Sequence, residues 1–282
     1  MEIETITDAF DTRVDDALSW IGDNGEWLFD AIRAVLEGTI DGILWLLQLA
    51  PFYVVAVLMG LLAWRVINTT AGVLTAAGLV ACAMMGLWAE TMSTLALVAT
   101  ATVLALAVGI PIGIVAGFSQ SLDRFLEPLL DLIQTLPPYI YLLPTIALMG
   151  YGPATALAAT FIVAMPPAIR LTSLGIRMTP SVFIELGQAS GMTSWQMFTK
   201  IRLPFALPSI MAGVNQSLMM AFGMVVIAGI VGSGGLGETI YGAVRTLDIA
   251  TSINAAIAIV IVTMVLDRLT QNAARNVKAG VQ

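Results

Sequence analysis

Beyond residue 49 the chain alternates long uncharged apolar runs with short polar breaks. Crossing a hydrocarbon core of about 30 Å at about 1.5 Å per residue takes on the order of 20 residues. The runs near 50–66, 70–89, 92–117, 136–150, 153–175, 206–231 and 250–269 are therefore each expected to be a membrane span, about seven in all. The run at 136–150 is short and interrupted by Pro137, Pro138 and Pro144. Broken helices at membrane depth are tolerated mainly where they are buried in protein or line a cavity, so this run is a candidate for a translocation path.

The first 48 residues follow a different pattern. Phe10, Val14, Ala17, Leu18 and Ile21 fall on one helical face and Asp8, Asp11, Asp15 and Asp16 on the other, and Gly22, Asp23, Asn24 and Gly25 read as a turn that closes this helix. From Glu26 to Gln48 a polar stripe of Asp30, Arg33, Glu37 and Asp41 opposes an apolar one, which predicts a second amphipathic helix. Four charges argue against a span. The helix either lies in the interface, anchored by Trp20, Trp27 and Trp45, or packs on the membrane domain, and the two are compatible.

The longest polar interruption in the C-terminal two thirds runs from Glu185 to Pro204. Thr179 and Pro180 read as an N-cap and first helical residue, and Val182, Leu186 and Ala189 share one helical face. Gly191 supplies a left-handed helix end, and Thr193 and Gln196 stand in the capping-box relation. Trp195, Phe198 and Ile201 continue an apolar side until Pro204, which is expected to stop the second helix. The pattern is helix, glycine corner, helix, lying outside the bilayer.

Composition confirms the membrane reading: 58% of residues are hydrophobic and 11% charged, against about a quarter charged in soluble domains. There is no histidine and one cysteine, Cys82, so an intramolecular disulfide is excluded and hydrolytic or metal chemistry is not expected; no metal site is assigned. Of the net charge of −7, the first 41 residues carry −9, from 11 acids and two bases, leaving the remainder at +2. No basic n-region with a cleavage site precedes a short apolar stretch, so no signal peptide is expected.

Alternation sets the orientation. If 185–204 is cytoplasmic, Arg65, Arg124, Arg170, Arg177, Lys200, Arg202, Arg268, Arg275 and Lys278 lie on that side, and only Arg13, Arg33 and Arg245 fall outside. Nine against three satisfies the positive-inside rule, with the N-terminus extracytoplasmic and the C-terminus cytoplasmic. The middles of the spans hold no acidic residue to bind a coupling ion, which argues against a stand-alone secondary carrier and for an energy source in another subunit.

Glu185, Gly191, Ile201, Leu203 and Pro204 match the EAA spacing, E-A-A-x3-G-x9-I-x-L-P, and so resemble the permease subunits of binding-protein-dependent ABC importers; Leu186 and Gly187 stand where that motif has alanines. The stretches QTLPPYIYLLPTIALMGYG (134–152), MPPAIRLTSLGIR (165–177), MVVIAGIVGSGGLGETI (224–240) and LDRLTQ (266–271) are similar to the glycine betaine, proline betaine and choline permeases of that family. The resemblance implies an all-α polytopic protein of the bacterial inner membrane with a five-helix type I importer core at 90–271. Around it would stand accessory helices at 49–89, the acidic extension 1–48, a coupling segment at 180–204 and a cytoplasmic tail at 272–282. It implies as partners a second permease copy, two ATPase subunits that bind ATP and Mg, an extracytoplasmic solute-binding protein and membrane lipid, with no nucleic acid. It implies no enzyme activity and no cofactor in this chain, and a betaine-like solute, with choline, trimethylamine N-oxide or a sulfonium analogue as alternatives.

In the family Glu185, Leu186, Gly187, Gly191, Ile201, Leu203 and Pro204 would contact or shape the ATPase dock; alone, Glu185 reads as a solvated helix-face charge. Trp195 and Phe198 fit packing on the membrane domain or facing the ATPase. Tyr139 and Tyr141, with Met219, Met220, Phe222 and Met224, are candidates to line the path through cation–π contacts with a quaternary ammonium group, although such residues in spans also serve packing. The glycines of GSGGLG at 232–237 lack the ending of a phosphate loop and read as a tight extracytoplasmic turn.

Overall fold

The structure is a computed structural model that describes the backbone of residues 2–279 and the side chains of 12, 13, 16, 17 and 19–272. The described residues are almost entirely helical and contain no strand. In order the elements are α1 (Glu2–Gln48), α2 (Phe52–Val66), α3 (Thr69–Met84), α4 (Trp88–Phe118), α5 (Gln120–Thr135), a 3-10 turn (Pro138–Tyr141) and α6 (Leu142–Met149). There follow α7 (Pro153–Arg177), α8 (Ser181–Ala189), α9 (Ser194–Met197), a π-turn (Phe198–Arg202), α10 (Leu203–Ala228), a 3-10 turn (Gly229–Val231), α11 (Gly235–Thr246) and α12 (Ile249–Ala279).

The centre is the triad α4, α7 and α10. Apolar residues gain nothing by leaving lipid for protein, so close packing and internal hydrogen bonds must hold the triad together. Small residues let the backbones approach. Gly109, Gly113 and Gly117 repeat every four residues along α4, where a Cβ would stand 2.8 Å from the Ala168 Cβ, 2.6 Å from the Ile169 oxygen and 2.7 Å from the Ile176 Cβ of α7. Three buried hydroxyls are satisfied within their own helices, Thr91, Thr100 and Thr160 donating to the carbonyls of Leu87, Ala96 and Ala156, while those of Thr102, Thr172 and Ser217 find no partner among the described residues.

Among the described residues, four helical stretches are long and apolar enough to cross a membrane alone: Trp88–Phe118, Pro153–Arg177, Ser194–Val231 and Ile249–Asn272. Counting each of two sharply bent pairs as one span gives up to six, and α3, with 16 residues, is shorter. Of the expected spans, the one at 136–150 takes a bent form. There the chain turns through 104° between α5 and the segment Pro138–Met149, and α6 has only 8 residues, about 12 Å of helix. The prolines break this run into a fold-back element.

The N-terminal expectation also changes. One helix, α1, runs through Gly22 to Gly25 without a turn. A helical glycine costs only about 1 kcal/mol, and the Asn24 amide donates to the Trp20 carbonyl at 2.8 Å. The side chains of Asp8, Phe10, Asp11, Val14, Asp15 and Leu18, assigned to the faces of the first helix, lie outside the described residues, as do those of 273–282 in the tail. The second half of α1 packs on the membrane domain through Leu36, Ile40, Ile43, Leu44 and Leu47, while Trp20, Trp27 and Trp45 face outward. Arg33 pins this contact: its Nε pairs with Glu37 at 2.9 Å and its Nη1 donates to the Met149 carbonyl at the end of α6. A bend of 94° then leads from α1 into α2.

Candidate functional site

The 181–202 excursion folds as two short helical legs. Its first leg begins one residue later than its cap pattern suggests: Pro180 occupies the N-cap position, and the Thr179 hydroxyl instead donates back to the Ile176 carbonyl, closing α7. At the corner Gly191 has φ +70°, its N–H reaches the Gln188 carbonyl and the Met192 N–H reaches the Gly187 carbonyl, the paired bonds of a Schellman ending. Both bonds of the Thr193–Gln196 capping box are present.

Leu203 and Pro204 do not end the second leg; both fall in the first turn of α10, which the π-turn joins without a break. The Leu203 N–H bonds to Phe198, one residue further back than in an α-helix, and this widened turn absorbs the N–H that Pro204 lacks.

Gly187, which departs from the alanine pattern, lies where the two legs pack together. Gly187 is buried, and a Cβ there would stand 2.6 Å from the Met197 Cε and 2.9 Å from the Ile201 Cδ1. The glycine thus lets α8 lie directly on the second leg. Ile201 is buried in that contact. Outward, Val182, Leu186 and Trp195 are 68%, 60% and 71% exposed, and Glu185 is exposed and forms no ion pair among the described residues. A protrusion that exposes three large apolar side chains and a carboxylate with no ion pair among the described residues presents a surface for a partner.

The end of α7 that leads into the excursion and the second leg are both tied to the α4–α5 corner, which the sequence patterns above do not single out. Asp123 of α5 accepts from the Ser173 hydroxyl at 2.7 Å and pairs with Arg177 in the last turn of α7; farther along α5, Asp131 pairs with Arg170. Phe118, the last residue of α4, carries the Arg202 guanidinium over its ring at 4.8 Å and the Phe198 ring edge-on at 5.8 Å. Phe198 in turn touches Trp195, so Phe198 packs on the membrane domain while Trp195 faces solvent. The signal that could have found this corner is the spacing of Asp123, Glu127 and Asp131, four apart, facing Arg170 and Arg177, seven apart.

The six path candidates separate. Phe222 and Met224 are 4% and 1% exposed inside the α4–α7–α10 core. A span buried against two neighbours turns most of its bulky residues inward. Met219 and Met220 face outward from α10. Tyr139 is exposed, and Tyr141 is half-buried with its hydroxyl donating to the Ile133 carbonyl across the fold-back turn.

The glycine-rich turn is tight: Gly232, Gly234 and Gly235 have φ of 72°, 74° and 72°, the left-handed region that favours glycine, and the chain then enters α11. The Thr94 hydroxyl accepts from the Leu236 N–H at 2.8 Å, and Glu238 accepts from the Gly234 N–H at 2.8 Å. These bonds occupy two of the turn's N–H groups, those of Gly234 and Leu236.

Residues 109–279 match the family described as binding-protein-dependent transport system inner membrane component. The chain is 40% identical to the glycine betaine transport system permease protein OpuAB of Bacillus subtilis (strain 168), over 92% of each chain. It is 38% identical to the glycine betaine/proline betaine transport system permease protein ProW of Escherichia coli (strain K12), over 94% of this chain and 75% of that one. An inward facing structure of the MetNI methionine ABC transporter superposes with a TM-score of 0.61 at 23% identity, covering 71% of this chain and 98% of the other, a likeness of fold. With its all-helical core, its EAA-spaced protrusion and these relatives, the chain belongs to the inner-membrane permease family of binding-protein-dependent ABC transport systems.

Proposed function

We propose that this chain is the permease of an ATP-driven importer for glycine betaine or a related quaternary ammonium solute, coupled to a separate ATPase through the 181–202 excursion. The observation that carries the coupling role is the exposed Glu185 among Val182, Leu186 and Trp195 on a capped, rigid protrusion. The solute class rests on the names of OpuAB and ProW. A second copy of the permease completes the path, two ATPase subunits hydrolyse MgATP, and an extracytoplasmic binding protein delivers the solute. The excess of Lys and Arg on one side supports a cytoplasmic excursion and C-terminus and an extracytoplasmic N-terminus.

The test is uptake of labelled glycine betaine by proteoliposomes containing the whole complex. Uptake is expected to require ATP and to be lost in Glu185→Lys while the subunits still assemble. Full uptake by that variant removes the coupling role. Uptake by the purified chain alone, indifferent to ATP and collapsed by an ionophore, identifies a secondary carrier instead. Preferential binding of choline or trimethylamine N-oxide by the partner binding protein reassigns the solute.

A further inference from the structure

The two ends of the coupling excursion land on the same short corner of the membrane domain. Its entry follows the last turn of α7, where Ser173 and Arg177 both bind the Asp123 carboxylate. Its exit is the π-turn, where Phe198 and Arg202 both rest on the Phe118 ring. Phe118 and Asp123 are five positions apart, on either side of Ser119, an extended residue that ends α4 and caps α5 by accepting from the Leu122 N–H.

We infer that the Phe118–Asp123 corner is the joint through which displacement of the coupling excursion is passed to α5. This rests on the coupling role proposed above. A segment fastened at one end can swing about that fastening; one fastened at both ends to a single corner cannot move without moving the corner. The exit contact is suited to bear this. The buried Nε of Arg202 has no hydrogen-bond partner and Arg202 forms no ion pair among the described residues, so the Phe118 face is what positions its guanidinium.

The π-turn that carries Phe198 and Arg202 is a form of helix that recurs at functional sites. Beyond the corner, α5 remains strapped to α7 by the Arg170–Asp131 pair and leads into the fold-back turn, where Tyr141 bonds to the Ile133 carbonyl. Phe118 and Asp123 are therefore positioning residues that link the excursion to the proline-broken segment.

The experiment reads solute imported per ATP hydrolysed in the reconstituted complex. Phe118→Leu and Asp123→Asn are expected to keep the ATPase bound and hydrolysing while this ratio falls by at least about threefold. Phe118→Tyr, which keeps the ring face, and the exchange Asp123→Arg with Arg177→Asp are expected to recover it. A merely structural contact would lower yield or thermal stability and leave the ratio untouched, and an unchanged ratio in both Phe118→Leu and Asp123→Asn overturns the joint.

Should Phe118→Leu not assemble, Arg202→Gln against Arg202→Lys is judged on the same ring by the same criterion. A second readout does not depend on the solute. Spin labels on Leu129 of α5 and Val103 of α4 should report a distance change between the ATP-bound and nucleotide-free complex that Phe118→Leu or Arg202→Gln abolishes. Persistence of that change in the variants also overturns the joint. A wild-type complex that hydrolyses ATP but imports no betaine refutes the proposed solute, and the spin-label distances still decide the joint.

Discussion

Gly113 of α4 and Ile169 of α7 meet backbone to backbone: a Cβ on the glycine would stand 2.6 Å from the Ile169 carbonyl oxygen and 2.7 Å from the Thr172 Cβ. Neither neighbour is the far end of a flexible side chain, so an added methyl must push the helices apart. Gly113→Ala is expected to destabilise the permease by about 1–3 kcal/mol. Gly42→Ala, in α1 with nothing within 4 Å of its Cβ position, should instead stabilise by up to about 1 kcal/mol through helix propensity. Thermal unfolding of both variants in the same detergent compares them, and equal midpoints would contradict the contact.

The Thr94 hydroxyl accepts from the Leu236 N–H, joining α4 to the start of α11, and Leu236 is fully buried. Thr94→Val keeps the shape and removes the acceptor, leaving a buried donor unpaired at a cost of about 1–3 kcal/mol. Amide exchange at Leu236 should quicken accordingly, with Thr94→Ser close to wild type. If the valine variant exchanges at the wild-type rate, this bond does not hold the glycine-rich turn.

The Thr251 hydroxyl and N–H donate to Asp248 at 2.7 and 3.1 Å, in that order the main causes that hold its carboxyl below the ordinary aspartate range. A carboxylate whose folded value is lowered favours the folded form at every pH above its ordinary value, and that contribution fades as pH falls through the lowered one. The first turn of α12 should therefore fray in acid. Exchange at the Thr251 amide, corrected for its intrinsic pH dependence, should rise as pH falls through that range in the wild type and stay flat in Asp248→Asn. A flat wild-type profile rejects the capping role.

Thr193→Ala removes one half of the capping box that starts the second leg of the 181–202 excursion. The expected loss is about 1 kcal/mol. Because this leg is exposed, the loss should appear as faster exchange across Ser194–Met197 and only weakly in the global midpoint. Unaltered exchange there would mean that Gly191 and the Gly187 contact hold the leg by themselves.

The 181–202 excursion was the most legible part of the chain, because its signals are local. A capping box involves four residues and a Schellman corner six, so Thr193, Gln196 and Gly191 could be placed from sequence. Pro204 misled for a related reason: proline stops an α-helix of normal register, and the π-turn that accommodates it has no comparable local signature. Gly187 looked like a mere departure from the motif until Met197 and Ile201 were found against it. The α4–α5 corner escaped because Asp123 and Arg177 are 54 residues apart, and only chain folding brings such charges together.

By itself the sequence determined that this is an all-helical, polytopic membrane protein with a polar, capped excursion carrying the EAA spacing. Those properties depend on the length of apolar runs and on residues a few positions apart. The tertiary structure decided which apolar residues face protein and which face outward, sending Phe222 and Met224 inward and leaving Met219 and Met220 exposed. It also decided that the run at 136–150 folds back after a bend and that both ends of the excursion share one corner. The physical reason is that lipid and protein interior are equally apolar, so hydrophobicity places a residue in the membrane but not against a neighbour; close packing and buried hydrogen bonds do that.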